Sequence, residues 1–287
     1  MAQWTGVSGK RVVITGATNG IGLAAAEELA ARGAQLTLVA RSEERAAQAI
    51  ARISARARED ATLEGAICDL SLQGSVHSLA SELLERHPRI DVLINNAGAM
   101  YTGRRVSGDG IELTWAVNHL APFLLTELLL GRLLESAPAR IVTTASEAHR
   151  GRHVAIGDPG GERTRTSRGF RRYGETKLAN ILFTTELARR IEGSGVSANC
   201  FHPGLVASGF NRNNGRAAAA AMTLLRPLSR SPEHGARTLV WLVDSDEVSA
   251  ISGGYFADER LATASEEARD VAAASALWER SRAQVGL

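Results

Sequence analysis

A tyrosine and a lysine four positions apart, Tyr173 and Lys177, are the pair of residues best suited to chemistry in this sequence. Residues 177–190 carry apolar side chains at helical spacing, so the pair lies on one face of a predicted helix, about 6 Å apart. A phenol has a reference pKa of about 10, and an ammonium about 5 Å away lowers that pKa by roughly two units at an effective dielectric near 20. We expect Tyr173 to act as a general acid or base; the alternative is a chance pair on a surface helix.

Two further polar residues could join this pair. Ser146 follows a predicted strand at residues 141–144, and the ends of such strands form the ligand crevice of a doubly wound sheet. Its hydroxyl could hold the reacting oxygen. Asn118 stands in an apolar helical stretch, where an amide is costly unless it bonds to backbone or water. The candidate catalytic set is therefore Asn118, Ser146, Tyr173 and Lys177, with a satisfied core amide as the alternative for Asn118.

A glycine-rich segment, residues 15–22 (TGATNGIG), comes directly after the first predicted strand and leads into a helix. Glycines at these points let the backbone turn tightly and approach a pyrophosphate, while the helix N-terminus offers free N–H groups to the anion. A turn that serves only packing is the alternative. The candidate binding residues here are Gly16, Thr18, Asn19, Gly20 and Ile21.

The end of the second predicted strand indicates which nucleotide would bind. A site for NAD offers a carboxylate to the adenosine ribose there, whereas this sequence has Ala40, Arg41 and Ser42. An arginine can hold a 2′-phosphate through two hydrogen bonds, which favours NADP(H) as the cofactor. The alternative for Arg41 is a solvated residue at the beginning of a helix.

Two more strand ends supply candidate nucleotide contacts. Asp69, followed by Leu70, could accept a hydrogen bond from the adenine amino group, or it could be the N-cap of the next helix. Residues 95–98 (NNAG) are small and amide residues, as a backbone passing close to a ribose would require, or they form an ordinary tight turn. Asn96, Ala97 and Gly98 are the candidates in this second segment.

The elements that must position these residues alternate regularly along the chain. Short β-branched or leucine-rich runs predict strands at residues 11–14, 36–40, 62–66, 92–95, 141–144, 196–201 and 252–256. Helical spacing predicts helices at residues 21–32, 43–58, 75–86, around 120–134, at 177–190, and a last one that ends near Trp278. This alternation predicts an α/β fold with one Rossmann-type, doubly wound parallel sheet of about seven strands. We expect a single domain over residues 1–287, with a cofactor half at about 8–145 and a catalytic half at about 146–287.

Composition and charge exclude several classes of protein. The 287 residues carry 33 Lys and Arg against 31 Asp and Glu, so no strong field favours nucleic acid or anionic lipid. Two cysteines, Cys68 and Cys200, lie at the ends of apolar runs and indicate buried thiols, with no metal site. The most apolar helical stretch is interrupted by Pro122, Glu127 and Arg132, and no apolar stretch precedes the first strand. We expect a soluble, cytoplasmic protein without a membrane anchor.

These motifs resemble, in order and spacing, those of the short-chain dehydrogenases/reductases over almost the whole chain. Residues 140–149, 177–190 and 202–204, with the long gap between Ser146 and Tyr173, are similar to the retinol-dehydrogenase-like branch, which includes the WW-domain oxidoreductases. The sequence departs from the pattern at Ala145, where a second serine is usual, and at Ser208, which replaces a threonine. Many members of this branch are bacterial and act on unrelated ketones and alcohols, so retinoid specificity does not follow. We expect no membrane anchor and no WW domain before Arg11.

The resemblance implies a role for each candidate. Tyr173 would be the general acid/base, and Lys177 would hold the nicotinamide ribose and lower the phenol's pKa. Ser146 would orient the carbonyl, and Asn118 would hold a water that links Lys177 to solvent. A further segment would contact the nicotinamide through Pro203, Gly204 and Val206. The function implied is NADP(H)-dependent interconversion of a ketone or aldehyde and an alcohol. The alternative is a non-catalytic NADP-binding sensor, although such a protein would be expected to lose Tyr173, Lys177 or Ser146.

Two stretches break the alternation and are candidate loops over a substrate pocket. Residues 147–172 are rich in arginine and could attract an anionic substrate, with a solvated, flexible loop as the favoured interpretation. Residues 208–233 correspond to a substrate lid in the family, and their apolar side chains suggest a hydrophobic ketone or alcohol. The helix of Tyr173 would provide the face of a possible homodimer.

Overall fold

The computed structural model describes residues 4–161, 169–206 and 229–287, which form an eight-stranded sheet in the order β3-β2-β1-β4-β5-β6-β7-β8. The strands are β1 (Arg11–Thr15), β2 (Gln35–Ala40), β3 (Leu63–Ile67), β4 (Val92–Asn95), β5 (Ala139–Thr144), β6 (Val196–Phe201), β7 (Tyr255–Ala257) and β8 (Arg260–Leu261). The first seven are parallel. The predicted doubly wound parallel sheet is therefore confirmed.

The eighth strand is an addition to the predicted seven. It pairs antiparallel with β7 through a tight turn at Asp258 and Glu259, whose φ angles are 50° and 58°. The strand has only two residues, too few for a period-two pattern to be visible in the sequence.

Helices cover both faces of the sheet, as near-continuous apolar strands require. In chain order they are α1 (Gly20–Ala31), α2 (Glu43–Ser54), α3 (Gln73–Arg86), α4 (Leu113–Glu135), α5 (Gly169–Arg190), α6 (Pro232–Asp244) and α7 (Val271–Val285). One apolar core lies between the sheet and α3, α4, α5 and α7. A second core lies between the opposite face and α1, α2 and α6.

The order of the strands reverses between β1 and β4, since β2 and β3 extend from β1 in one direction and β4 to β7 in the other. A crevice opens at such a point, outside the carboxyl ends of the strands, and is where ligands bind in this class of sheet. The segments that follow β1, β4 and β5 meet there. These are the segments that carry the candidate nucleotide cradle and Ser146.

Helix α4 combines a buried position with an irregular turn. Its residues Ala116–Leu120 form a π-helical turn, the kind of local widening that is common at functional sites, and Asn118 lies in its middle. By length and composition α4 could span a membrane, but 67% of its apolar window is buried within the protein. Pro122 does not break the helix, because it lies in the first turn after the π-helical segment.

Several predicted boundaries move in the structure. The helix of Tyr173 begins at Gly169 rather than at residue 177, and the last helix ends at Val285 rather than near Trp278. The last long strand is limited to Tyr255–Ala257 because two glycines precede it. Cys68 and Cys200 are buried free thiols, as predicted. Most of the predicted lid at 208–233, with Ser208, and residues 162–168 of the arginine-rich loop lie outside the described residues.

A histidine inside α4 makes the stability of the fold depend on pH. The ring of His119 is buried, and its Nε2 lies 2.8 Å from Ser281 Oγ. Burial lowers the pKa of His119 to about 3 from the ordinary 6.5. The folded protein therefore resists protonation that the unfolded chain accepts, so this contribution to stability is complete above pH 6.5 and is lost as the pH falls towards 3.

We expect the free energy of unfolding to fall by about 3 kcal/mol between pH 7 and pH 4 through His119 alone, since one pKa unit is about 1.4 kcal/mol. Urea unfolding at a series of pH values would measure this loss. In His119→Gln the loss should be smaller by that amount, whereas His77→Gln, at an exposed position, should follow the parent. An equal acid-induced loss in the parent and in His119→Gln would refute the assignment.

Candidate active site

The β1–α1 turn and the first turn of α1 are packed so tightly that one position in each accepts only glycine. Gly16 has a φ of +72°, and a Cβ there would lie 2.8 Å from the Cα of Ala97. A Cβ on Gly22 would lie 2.4 Å from both the carbonyl oxygen of Gly16 and Nδ2 of Asn96. The glycines thus bring the β1–α1 turn into direct contact with the segment after β4, as the predicted close approach requires.

Asn96 joins these two segments through its side chain. Its Nδ2 donates to the carbonyl oxygens of Thr15 and Gly16, at 3.0 and 3.2 Å, and its Oδ1 lies 3.4 Å from Oγ1 of Thr144. Oγ1 of Thr15 accepts hydrogen bonds from the backbone N–H groups of Asn96 and Ala97, at 3.0 and 3.1 Å. The amide of Asn96 is therefore used within the protein, and Thr15, which the sequence did not single out, organises the crevice.

The N-terminus of α1 lacks a side-chain cap. Asn19 occupies the N-cap position in extended conformation, and its side chain makes no capping hydrogen bond. The first turn carries no acidic residue either. Thr18, Gly20 and Ile21 are half-buried and Asn19 is exposed. Uncapped N–H groups and the positive end of the helix dipole make this turn suitable for an anion.

The end of β2 presents a cation without a partner. Arg41 is exposed, and within the described ranges its guanidinium makes no hydrogen bond or ion pair. The neighbouring Ser42 is the N-cap of α2, where its hydroxyl accepts from the N–H of Arg45 at 3.4 Å. The hydroxyl of Ser42 thus has a structural role, while Arg41 is available to an external anion.

At the end of β3, the structure excludes one of the two interpretations of Asp69, namely the N-cap of the next helix. Oδ1 of Asp69 accepts hydrogen bonds from the N–H and the hydroxyl of Ser71, at 2.9 and 2.7 Å. Asp69 is not the N-cap of α3, which is Leu72; the first N–H of that helix donates instead to Oδ2 of Asp109, at 2.7 Å. The capping alternative is wrong because the turn 69–72 separates Asp69 from the helix. Asp69 is exposed and Leu70 half-buried at the carboxyl edge of the sheet.

The catalytic candidates converge beyond β5. Ser146 caps a 3₁₀ turn, Glu147–His149, with its Oγ accepting from the N–H of Ala148 at 3.2 Å. Its side chain also makes a hydrogen bond with that of Tyr173. Nζ of Lys177 lies 5.6 Å from the centre of the Tyr173 ring and donates to the carbonyl oxygen of Thr144 at 2.7 Å. Ser146, Tyr173 and Lys177 thus form the cluster that their sequence positions predict.

The ionisation of this cluster differs from the prediction. Burial raises the pKa of Tyr173 to about 12, and only the hydrogen bond with Ser146 opposes the increase. Burial lowers the pKa of Lys177 to about 7. The expected lowering of the phenol's pKa by Lys177 is therefore wrong for the protein alone, because the surroundings that disfavour the phenolate also disfavour the ammonium. At neutral pH the phenol carries its proton.

Asn118 is a satisfied core amide. Its Oδ1 accepts from the N–H of Ala99 at 2.7 Å, and its Nδ2 donates to the carbonyl oxygen of Ala99 and to Oγ1 of Thr176, at 2.9 and 3.0 Å. Oγ1 of Thr176 in turn donates to the carbonyl oxygen of Tyr173 at 2.7 Å. The side chain of Asn118 thus connects α4 to the turn of Tyr173 directly, and it has no donor left to hold a water.

The segment after β6 closes the crevice opposite the glycine-rich turn. Gly204 has a φ of +76°, and Val206 pairs with Arg230 in an isolated parallel bridge. A Cβ on Gly235 would lie 2.7 Å from Val206 and 3.3 Å from Ile21, so both side chains lie close above this glycine of α6. Pro203 and Gly204 are half-buried. Ile21, which follows β1, and Val206, which follows β6, therefore lie next to each other.

His149 is a further residue of the site that was not among the candidates predicted from the sequence. It is buried, its Nδ1 lies 2.7 Å from the carbonyl oxygen of Ser146, and its Nε2 accepts from the N–H of Ser265 at 3.1 Å. Because Nε2 accepts, Nδ1 must carry the proton, and His149 is neutral. It ties the backbone of Ser146 to the segment before α7. Its place three residues after Ser146 was visible in the sequence, but its distant partner Ser265 was not.

The described arginines of the 147–172 loop are engaged rather than free. Arg172 is buried on α5, whereas the prediction placed it in a solvated loop. The acceptors of these arginines are Glu147 for Arg150, the carbonyl oxygen of Ala148 for Arg152, Glu175 for Arg171, and Glu112 with Glu175 for Arg172. These four arginines are therefore poor candidates for steering an anionic substrate.

Comparison with known proteins agrees with this geometry. The family model described as short chain dehydrogenase matches residues 10–219. Human retinol dehydrogenase 14 is 38% identical over 97% of this chain and 87% of its own length. DnrU of Streptomyces sp. (strain C5), described as a candidate daunorubicin C-13 ketoreductase, is 40% identical over 98% of this chain and 94% of its own length. A short chain dehydrogenase from Burkholderia cenocepacia, solved in complex with NADP, superposes with a TM-score of 0.68 at 26% identity, covering 87% of this chain and 96% of that one.

The chain belongs to the short-chain dehydrogenase/reductase family of oxidoreductases. Within that family it is retinol-dehydrogenase-like, as the relatives named above show.

Proposed function

We propose that this protein is an NADP(H)-dependent carbonyl reductase that reduces a hydrophobic ketone or aldehyde, with Tyr173 as the proton donor. The observation that carries the proposal is the cluster of Ser146, Tyr173 and Lys177 at the carboxyl end of β5, beside the point where the strand order reverses. A non-catalytic nucleotide sensor would have no need for a buried lysine beside a tyrosine, because burying both groups is costly.

The residues present fit a dinucleotide with a 2′-phosphate. The uncapped N-terminus of α1 provides N–H donors for the pyrophosphate. Arg41, which is exposed and has no ion-pair partner among the described residues, can hold the 2′-phosphate. Lys177 is 2% exposed and makes one hydrogen bond within the described part of the chain, which leaves donors for ribose hydroxyls. A Cβ on Gly98 would lie 3.6 Å from Nζ of Lys177, so the segment after β4 passes within van der Waals contact of this ammonium. Relatives solved with NADP support the choice of nucleotide.

The reduced nicotinamide, when bound, supplies the hydride. The hydroxyl of Tyr173 donates a hydrogen bond to the carbonyl oxygen and transfers its proton as negative charge develops there. Ser146 holds the same oxygen through its hydroxyl. The phenolate that remains is stabilised by Nζ of Lys177 in its protonated form. A proton from solvent then restores the phenol.

The pKa of Tyr173 favours reduction over oxidation. A phenol with a pKa of about 12 is protonated at neutral pH and so is ready to act as an acid. Alcohol oxidation needs the phenolate, whose share is very small at pH 7 and grows as the pH rises. The protonated phenol is therefore suited to the acid step of carbonyl reduction.

Exposed apolar side chains close in sequence to the site residues support a hydrophobic substrate. Phe170, three residues before Tyr173, is 58% exposed, and Leu205, next to Gly204, is 50% exposed. Exposed apolar side chains beside a polar reaction centre are typical of pockets for apolar ligands. The names of two relatives refer to retinol and to daunorubicin, both of which contain a large carbon framework, and this agrees with a bulky substrate.

The experiment that tests the function is a panel of ketones and aldehydes assayed with NADPH, with loss of absorbance by the reduced nucleotide as the readout. We expect bulky, apolar ketones to be reduced at pH 7, and the matching alcohols to be oxidised more slowly with NADP⁺. Short, charged keto acids serve as the comparison set. Turnover confined to the charged set would refute the substrate class, and no turnover of any carbonyl would refute the reductase function.

A further inference from the structure

The turn that carries Tyr173 is tied to α4 by a buried ion pair. Nε of Arg172 donates to Oε2 of Glu112 at 2.9 Å, and the two side chains are only 6% and 2% exposed. The Arg172 guanidinium also lies 4.9 Å from the centre of the Trp115 ring and 3.2 Å from Oε2 of Glu175. Its Nη2 is buried without a hydrogen-bond partner among the described residues. Removing an arginine and a glutamate from water is costly, and an apolar pair would often be as stable.

Glu112 has a second task at the beginning of α4. Its Oε1 accepts from the N–H of Thr114 at 3.1 Å, and its Oε2 accepts from the N–H of Trp115 at 2.9 Å. One carboxylate therefore caps the helix that carries Asn118 and simultaneously holds the residue next to Tyr173. Because both connections converge on the same carboxylate, a shift of α5 relative to α4 would break the ion pair or the cap.

The same turn of α5 is held closely on two other sides. A Cβ on Gly174 would lie 2.4 Å from the carbonyl oxygen of Ala148, in the 3₁₀ turn that Ser146 caps. A Cβ on Gly169 would lie 2.2 Å from the carbonyl oxygen of Tyr101. The backbone of α5 thus contacts its neighbours on the Ser146 side, and the Arg172–Glu112 pair holds it on the α4 side.

We propose that Arg172 and Glu112 are positioning residues, which set the hydroxyl of Tyr173 at its working distance from Ser146 by fixing the first turns of α5 against α4. This inference rests on the proposed function, since Tyr173 must be the proton donor for its placement to affect turnover. A displacement of about 1 Å in such a group can cost a hundredfold in rate.

Three variants test the pair in the full chain. Arg172→Met leaves Glu112 buried without its partner, Arg172→Met combined with Glu112→Gln removes both charges, and Arg172→Lys keeps a cation without the planar fork. Arg171→Met is the matched control, because Arg171 is an exposed neighbour on the same helix that pairs with Glu175. For each variant we would measure kcat and KM for the best ketone of the panel, the Kd for NADPH by fluorescence, and the midpoint of urea unfolding.

We expect Arg172→Met to lose kcat by about 10- to 100-fold, with Kd for NADPH changed less than about threefold. The double variant should regain most of the unfolding midpoint but not kcat, because the uncompensated charge is gone while the tie is still missing. Arg172→Lys should recover part of kcat, and Arg171→Met should match the parent.

A purely structural role predicts that kcat returns together with stability in the double variant, and that result would overturn the proposal. If Arg172→Met does not fold, the test uses the double variant alone. A kcat well below that of the parent then supports the positioning role, and a kcat equal to that of the parent overturns it. Failure of the proposed function is distinguishable, because it appears in the parent itself as an absence of NADPH-dependent reduction.

Discussion

Replacement of Tyr173 by phenylalanine is expected to lower kcat/KM for ketone reduction by about a hundredfold or more, because a positioned acid normally contributes that much. Phenylalanine keeps the ring that lies 5.6 Å from Nζ of Lys177 and removes only the hydroxyl that bonds to Ser146. Binding of NADPH should therefore stay within about threefold of the parent. Initial rates from nucleotide absorbance and a fluorescence titration with NADPH would measure the two quantities.

The control for this substitution is Tyr101→Phe, at a buried tyrosine whose backbone contacts the first turn of α5. It removes a phenolic hydroxyl of the same kind from a neighbouring segment and should leave kcat within a few-fold of the parent. Turnover of Tyr173→Phe within about threefold of the parent would show that the proton comes from another group.

The second large effect concerns the choice of nucleotide. Arg41→Asp should raise KM for NADPH by about 10- to 100-fold. The substitution replaces an exposed guanidinium, which would form two charge-assisted hydrogen bonds with the 2′-phosphate, by a carboxylate that repels it. KM for NADH should stay the same or fall, because a carboxylate at this strand end can accept from ribose hydroxyls. Initial rates with both nucleotides at a saturating ketone concentration would give the ratio.

Arg280→Asp makes the same change of charge on α7, across the sheet from α2, and should leave both KM values unchanged. A parent enzyme that uses NADH and NADPH equally well would contradict the role of Arg41. If Arg41→Asp and Arg280→Asp changed KM for NADPH equally, the change would be due to the net charge of the protein and not to a contact of Arg41 with the 2′-phosphate.

Local patterns were sufficient to predict the parallel sheet and the place of the crevice. Strands β4 and β6 have the predicted limits, because uninterrupted apolar runs with clear breaks define them. The glycine-rich segment after β1 also predicted a tight turn. The structure has that turn at Gly16, where the left-handed φ and the contact with Ala97 leave no room for a side chain. The four-residue spacing of Tyr173 and Lys177 placed both side chains on one face of the helix, because helix geometry depends only on local spacing.

What escaped prediction depends on contacts between distant residues. The partner of Arg172 is Glu112, sixty positions away, and the amide of Asn96 is used by Thr15 and Gly16. The high pKa of Tyr173 follows from burial by several elements, which spacing along one helix does not reveal. The strand β8 is too short to leave a pattern.

Hydride transfer from NADPH to a carbonyl carbon, the step that the proton of Tyr173 completes, can be followed directly with an isotope. The best ketone of the panel would be reduced in ordinary water with NADPH that carries deuterium at both C4 positions, and the alcohol product would be examined by mass spectrometry and NMR. We expect one deuterium on the carbinol carbon of every product molecule. An alcohol without deuterium on that carbon would contradict hydride transfer.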